Sequence, residues 1–254
     1  MGTGGPLWDV RRRLGDDPSF LMLYGDIFSA FSYSELIDFH DRNGATATLA
    51  LCEIEDVSMY GVAEMDSNGQ VSRFLEKPEP WESKSRLINA GAFVLDPSVY
   101  KYLPGRGRFS MERQVFPRLA SEGRLFGHVF KEPWTDVGRP ADYLSANFLA
   151  LERCKPVHGP SSRVDAGATI VEPVALGARV RVKRGSRIGP YVSIGDSVVV
   201  RKGGRIERSV IMPQATVGEH SSIRGAIVGE GASVGSWVKV EEGAIIGDHV
   251  HILD

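Results

Sequence analysis

From Val164 onward, aliphatic residues recur every six positions, at Val164, Ile170, Leu176, Val182, Ile188, Ile194, Val200 and Ile206. The register restarts five residues later at Ile211, Val217 and Ile223, and again at Val228, Val234, Val240, Ile246 and Ile252. Six residues turn an α-helix by about 600°, which scatters such side chains over three faces and excludes an amphipathic helix. Six is also a multiple of the strand period, so these aliphatics can all point inward from short strands. Gly177, Gly189, Gly195, Gly218, Gly229, Gly235 and Gly247 mark bends after them. Ala168, Val174, Val180, Val192, Val198, Ala232 and Val238, four places on, fill the same narrow core. The pattern predicts a β-solenoid of hexapeptide repeats.

The preceding half has a different rhythm. FLMLY at 20–24 is a continuous apolar strand, Tyr33, Leu36, Ile37 and His40 fall at helical spacing before a stop at Gly44, and TATLALC follows as a second strand. VAEMDSNGQVSRF places Asn68-Gly69 between two alternating runs, which predicts a hairpin with a type I′ turn. A strand at INAGAFVLD, a helix in MERQVFPRLASEG, a strand at RLFGHVF and a helix from Pro140 to Leu151 complete an α/β alternation. Pro156, Gly159, Pro160 and two serines suggest a linker over 156–163, between an α/β domain at 1–155 and an all-β domain at 164–254.

Composition narrows the classes. The 254 residues, 42% of them hydrophobic, suffice for one large or two modest cores. No apolar run approaches the roughly 20 residues of a membrane span, and residues 1–20 lack a secretory apolar region, so a cytoplasmic protein is expected. Pro6 stands where a myristoylation signal has Ser or Thr. Cys52 and Cys154 form no C-x-x-C pair, and a net charge of −2 lacks the basic bias of a nucleic-acid binder.

Several residues suggest chemistry. Asp26 follows the strand FLMLY, and Asp136 lies in PWTDVG ahead of a helix. Carboxylates at the C-terminal ends of parallel strands sit where open α/β sheets bind ligands, and two could hold one Mg²⁺ against a phosphate. Asp136 would serve equally as a helix N-cap. Lys77 in FLEKP ends a hairpin strand, where its ammonium reaches a phosphate or simply lines a solvated edge. Asn89 and Gly91 interrupt an otherwise apolar strand, which is costly unless something such as a sugar approaches the backbone. The glycine-rich opening GTGGPL raises the same question of what it approaches.

GTGGPL, YGDI, YGVAEMDSNGQVSRFLEKP, INAGAFVLDPSVY, FSMERQVFP and PWTDVGRPADYLSAN resemble, in order and character, the sugar-phosphate nucleotidyltransferases, or nucleotide-sugar pyrophosphorylases. Within that family the last 50 or so residues, including VGSWVKVE, look most like the mannose-1-phosphate guanylyltransferases with their left-handed parallel β-helix. The resemblance implies a doubly wound, Rossmann-like nucleotidyltransferase domain before that β-helix. It implies that Gly2, Thr3 and Gly4 line the nucleotide, that Asp26 and Asp136 bind Mg²⁺, that Lys77 holds the sugar phosphate, and that Glu76, Asn89 and Gly91 contact the sugar. The sugar 1-phosphate would attack the α-phosphorus of a nucleoside triphosphate, GTP with mannose 1-phosphate, and release pyrophosphate. The family's G-x-G-T-R-L-R-P-like loop has no counterpart here. An N-terminal truncation of at least two strand-helix units, about 60 residues, is therefore expected, with doubtful activity in this chain.

Two other classes fit the same features. A nucleotidyltransferase-like body without that loop would serve as a non-catalytic, nucleotide-sugar-binding regulatory subunit. A hexapeptide acyltransferase would use a histidine between coils with coenzyme A, with His220, His249 and His251 as candidates, though bend histidines are usually solvated. Basic residues from Arg179 to Arg208 crowd the early coils, as solvated corners or as an anion or partner site. EEGAIIGDHVHILD ends on an aliphatic strand without a polar cap, so homo-oligomers through the β-helix are expected.

Overall fold

The computed structural model describes residues 2–14, 18–153 and 155–254; Cys154 lies outside the described residues. The chain divides into two compact units, Met1–Trp134 and Thr135–Asp254.

The first unit runs α1 (Gly5–Leu14), β1 (Phe20–Leu23), β2 (Ile27–Ser29), α2 (Tyr33–Asn43), β3 (Ala47–Glu53), β4 (Gly61–Met65), β5 (Val71–Glu76) and β6 (Leu87–Leu95). A π-turn over Met111–Val115 leads into α3 (Phe116–Ser121), followed by β7 (Leu125–Phe130). The sheet order is β5-β4-β6-β3-β7, with β1 also paired to β6. β3 and β7 are parallel, whereas β6 is antiparallel to β1, β3 and β4. Thus β1 runs in the direction of β3 and β7, but its hydrogen-bonded neighbour is the reversed strand.

Strand alternation feeds two apolar layers. Leu49 and Leu51 join Leu7, Phe93, Phe116 and Leu119 on one face, while Ala50 and Cys52 join Leu36, Ile88, Val94 and Phe130 on the other. Burial holds the Cys52 thiol up at about 11, with the charge of Glu132 adding to it, so Cys52 is an inert core residue. α2 starts on Ser32, whose hydroxyl accepts from Glu35 N–H, and stops at Gly44 in the left-handed region.

The β4–β5 hairpin is present, but its turn is not type I′. That turn needs positive φ at both central residues, and only Gly69 has it, at 85°. Asp66 directs the geometry instead: its carboxyl accepts from the N–H groups of Asn68 and Gln70, both at 2.9 Å, and Gly69 N–H closes on Asp66 O at 3.1 Å. The bulge that accompanies such a turn appears as a register shift at Glu64/Met65.

The second unit contains the end of β8 (Trp134–Asp136), then α4 (Pro140–Arg153) and a parallel β-helix. Its three strand rows start at Val157–His158, Arg163–Val164 and Thr169–Ile170 and end at Ile245–Ile246, His251–Ile252 and Lys239–Val240. The segment 156–163, expected as a linker, supplies the first of these strands, paired with Ala175 and Leu176. Early coils take 18 residues, as in Val174↔Val192. The two coils behind the sequence's five-residue restarts take 17, as in Val192↔Ser209 and Val210↔Ile227. The hexad aliphatics form one core, with Val182, Ile188, Val200, Val217 and Val228 fully buried. His220 and His249 stand at corners with positive φ, whereas His251 lies in a strand rather than a bend, its Nδ1 2.7 Å from Ser233 Oγ. α4 packs on the strands Val192–Ile194 and Ser209–Ile211. There the Arg208 guanidinium lies 4.8 Å from the Phe148 ring, and Tyr191 Oη donates to Glu152 at 2.9 Å.

A core one side chain wide cannot refill a cavity from a neighbouring layer. Replacing Ile188, fully buried, with Ala should therefore cost about 2–5 kcal/mol in urea unfolding. A loss below about 1 kcal/mol would show that the coil is not packed as described.

Candidate active site

The glycine-rich opening approaches the polypeptide itself. Gly4 N–H donates to Phe109 O at 3.1 Å, and a Cβ on Gly2 or Gly4 would collide with Phe109. Between them, Thr3 Oγ1 accepts from Met111 N–H at 3.0 Å and donates to Glu112 Oε2 at 2.5 Å. Pro6 then enters the first turn of α1, where its missing N–H is no loss.

Glu112 is the centre of this cluster. It is only 6% exposed, and three hydroxyls donate to it: Thr3, Ser110 Oγ at 2.6 Å, and Tyr24 Oη, the last on the other carboxyl oxygen. It sits in the π-turn, whose start is capped by Ser110 Oγ accepting from Arg113 N–H at 3.2 Å. Such turns insert one extra residue and re-aim side chains. Burial first, and then the Glu112 carboxyl, push the Tyr24 phenol far above its ordinary value. Glu76, half-buried at the end of β5, is also raised: burial and Glu112 outweigh the opposing charges of Lys77 and Arg113. Thr3, Tyr24, Glu76, Lys77 and Glu112 thus act on one another within the first unit. Glu112 and Tyr24 were not singled out from the sequence. The available signal was a carboxylate three and four residues before the buried Val115 and Phe116, on the apolar side of a helix.

Lys77 adopts φ of 52°, in the left-handed region that a side chain disfavours, with its N–H donating to Tyr60 O at 2.9 Å. Backbone strain of this kind gathers where a side chain must point one way. Asn89 is buried, and its Oδ1 accepts from Gly91 N–H at 3.0 Å. Gly91, at φ of 75°, lies in the bulge between Leu49 and Leu51 of the facing strand. Its O accepts from Tyr24 N–H at 2.8 Å, so Tyr24 is what comes close to this backbone. Asp26 is exposed just beyond β1 and makes no ion pair or side-chain hydrogen bond among the described residues. Asp136, half-buried, belongs to the second unit. It is no N-cap, because α4 begins four residues later at Pro140. No cluster of three His, Cys, Asp or Glu side chains suited to a metal occurs among the described residues. None of their helices is long and apolar enough to cross a membrane.

A Rossmann-like sheet carrying this cluster and followed by a β-helix defines a class, and the comparisons agree with it. The family model described as nucleotidyl transferase matches residues 1–153, and that described as GMPPB C-terminal domain matches residues 160–254. The chain belongs to the nucleotidyl transferase family. It is 35% identical over 257 residues to probable mannose-1-phosphate guanylyltransferase 2 of Oryza sativa subsp. japonica. It is 37% identical over 263 residues to mannose-1-phosphate guanyltransferase of Aspergillus fumigatus, and 36% over 260 to mannose-1-phosphate guanylyltransferase catalytic subunit beta of Xenopus tropicalis. Each alignment covers the whole of this chain and 70% of the relative. Members of the family generally use a divalent metal, and a nucleoside triphosphate and a sugar phosphate are substrates that fit it.

The raised Glu76 has a consequence for stability. A carboxyl whose folded pKa is raised favours folding while protonated, and that contribution is lost as pH rises through the folded value. Glu76→Gln should therefore raise the melting temperature at pH 7, and the gain should shrink to nothing as pH falls below the ordinary carboxyl value of 4.5. A gain that persists at pH 3.5 would contradict this account of the carboxyl.

Proposed function

We propose that the protein transfers a guanylyl group from GTP to mannose 1-phosphate, forming GDP-mannose and pyrophosphate. The reading is supported by the names of the relatives and by the Glu112 cluster, which ties the Gly2–Gly4 turn to the strands that carry Glu76 and Lys77. Gly2, Thr3 and Gly4 bind the nucleotide, Glu76, Asn89 and Gly91 the sugar, and Lys77 the phosphate of the sugar 1-phosphate. The ammonium of Lys77, with no ion pair among the described residues, is available to a phosphate. Its strained backbone fixes the side chain at the strand end and so orients the attacking oxygen toward the α-phosphorus.

In this reading Asp26 supplies a carboxylate to Mg²⁺, and the same role is proposed independently for Asp136. Carboxylate oxygens are the donors that Mg²⁺ prefers, and it commonly takes only one or two from the protein, with waters and substrate phosphates completing the shell. Asp26 has no ion pair or side-chain hydrogen bond among the described residues, which leaves its oxygens available. When bound, the ion offsets phosphate charge and orients the reacting groups. The protein works in the cytoplasm with its nucleoside triphosphate, and it self-associates through the β-helix, whose final coils expose Ile245, Val250 and Leu253.

Pyrophosphate release from GTP and mannose 1-phosphate with Mg²⁺ tests the reading. Asp26→Asn should lower the rate by about two or more powers of ten without altering the melting temperature, and Asp136→Asn should lower the rate by a similar factor. Near-normal turnover in either variant would remove that residue from the site. GDP-mannose binding without any pyrophosphate release would replace catalysis with a binding role.

A further inference from the structure

On the third strand row of the β-helix, register stacks Thr169, Arg187, Arg205, Ser222 and Lys239 on successive coils. Their neighbours Ile188, Ile206 and Ile223 are buried, so by strand alternation the stacked residues face outward. Arg187 and Arg205 are direct partners on adjacent strands, about 4.8 Å apart, an arrangement in which like charges oppose each other. Two residues along, Glu207 pairs with Arg224, and Gly189 leaves the same line without a side chain. Arg187, Gly189, Arg205, Glu207, Ser222 and Arg224 line a polar groove of about 300 Å³.

Three other basic residues of these coils are engaged elsewhere. Arg179 pairs with Asp196 and Lys183 with Asp165, each at 3.6 Å, and Arg208 lies over Phe148. Arg187, Arg205 and Arg224 have no ion pair or side-chain hydrogen bond among the described residues. Three guanidinium groups therefore converge on a groove that holds a single carboxylate, Glu207, and a hydroxyl, Ser222.

We propose that this groove is an anion site for a phosphoryl group, either inorganic phosphate or a small phosphate monoester. Guanidinium forks match tetrahedral oxyanions with paired N–H donors, and a doubly charged phosphoryl group cancels the opposition of Arg187 and Arg205. Ser222 supplies a further donor. Glu207 accepts from a hydroxyl on the phosphate or its ester, and it repels ligands that carry a second anionic group on that side. The site lies wholly within the second unit and does not depend on the catalytic reading.

The test is calorimetric titration of the full chain at constant ionic strength, with inorganic phosphate in one arm and glycerol 3-phosphate in the other. Saturable binding is expected in at least one arm; the tighter arm identifies the source of the phosphoryl group. Changing both Arg187→Gln and Arg205→Gln should weaken it by about tenfold or more. Arg163→Gln, an exposed basic residue on another row, should leave it unchanged. The double variant should also melt no lower than the unaltered chain without phosphate and should gain less on phosphate addition. No saturable binding in either arm, unchanged affinity in the double variant, or an equal loss in Arg163→Gln would overturn the site.

Discussion

A carboxyl group taken almost wholly out of water needs hydrogen-bond donors on its oxygens, because an unpaired buried charge costs more than most packing contacts return. Glu112 satisfies that need with hydroxyls from three separate segments: Thr3 from the opening turn, Tyr24 from the end of β1, and Ser110 from the start of its own π-turn. Each donor is thereby fixed in place. The turn carrying Gly2 and Gly4 cannot lift from Phe109 without leaving Thr3 and Met111 N–H unpaired. Tyr24 holds the bulged backbone of Gly91 from the other side. The positions assigned to nucleotide and sugar thus share one buried acid.

The same acid sets the local electrostatics. It adds to the burial that raises both the Tyr24 phenol and Glu76, while Lys77 and Arg113 pull Glu76 the other way. The cluster sets hydroxyl and carboxyl groups beside the segment that carries the Lys77 ammonium. That combination suits a sugar phosphate, with hydroxyls to be hydrogen-bonded and a phosphate to be charge-paired.

Much of this architecture was legible in the sequence, for reasons that differ between the two units. A β-helix core admits one inward side chain per short strand, so Val182, Ile188 and Val200 recur at a period that nothing else produces. Even the shortened coils showed as shifts after Ile206 and Ile223. In the first unit the elements were visible, but details decided by side chains were not. Asp66 redirected the hairpin turn, and two of the three hydroxyls that satisfy the buried Glu112 come from segments distant in sequence. Glu76, Lys77, Asn89 and Gly91 could be selected as oddities of strand chemistry. Their common dependence on Glu112 and Tyr24 arises from long-range contacts, with residue 3 meeting residue 112, and no local pattern encodes that meeting.

Hydrogen–deuterium exchange on Glu112→Gln tests the central role of this carboxyl most directly. An amide replaces one acceptor oxygen with a donor, so at least one of the hydroxyl contacts must reverse its direction or break. Faster exchange is expected at the Gly4 and Met111 amides, with the β-helix amides unchanged and GTP binding weakened. Unaltered exchange at Gly4 and Met111, together with unaltered GTP binding, would contradict the claim that Glu112 holds the site together.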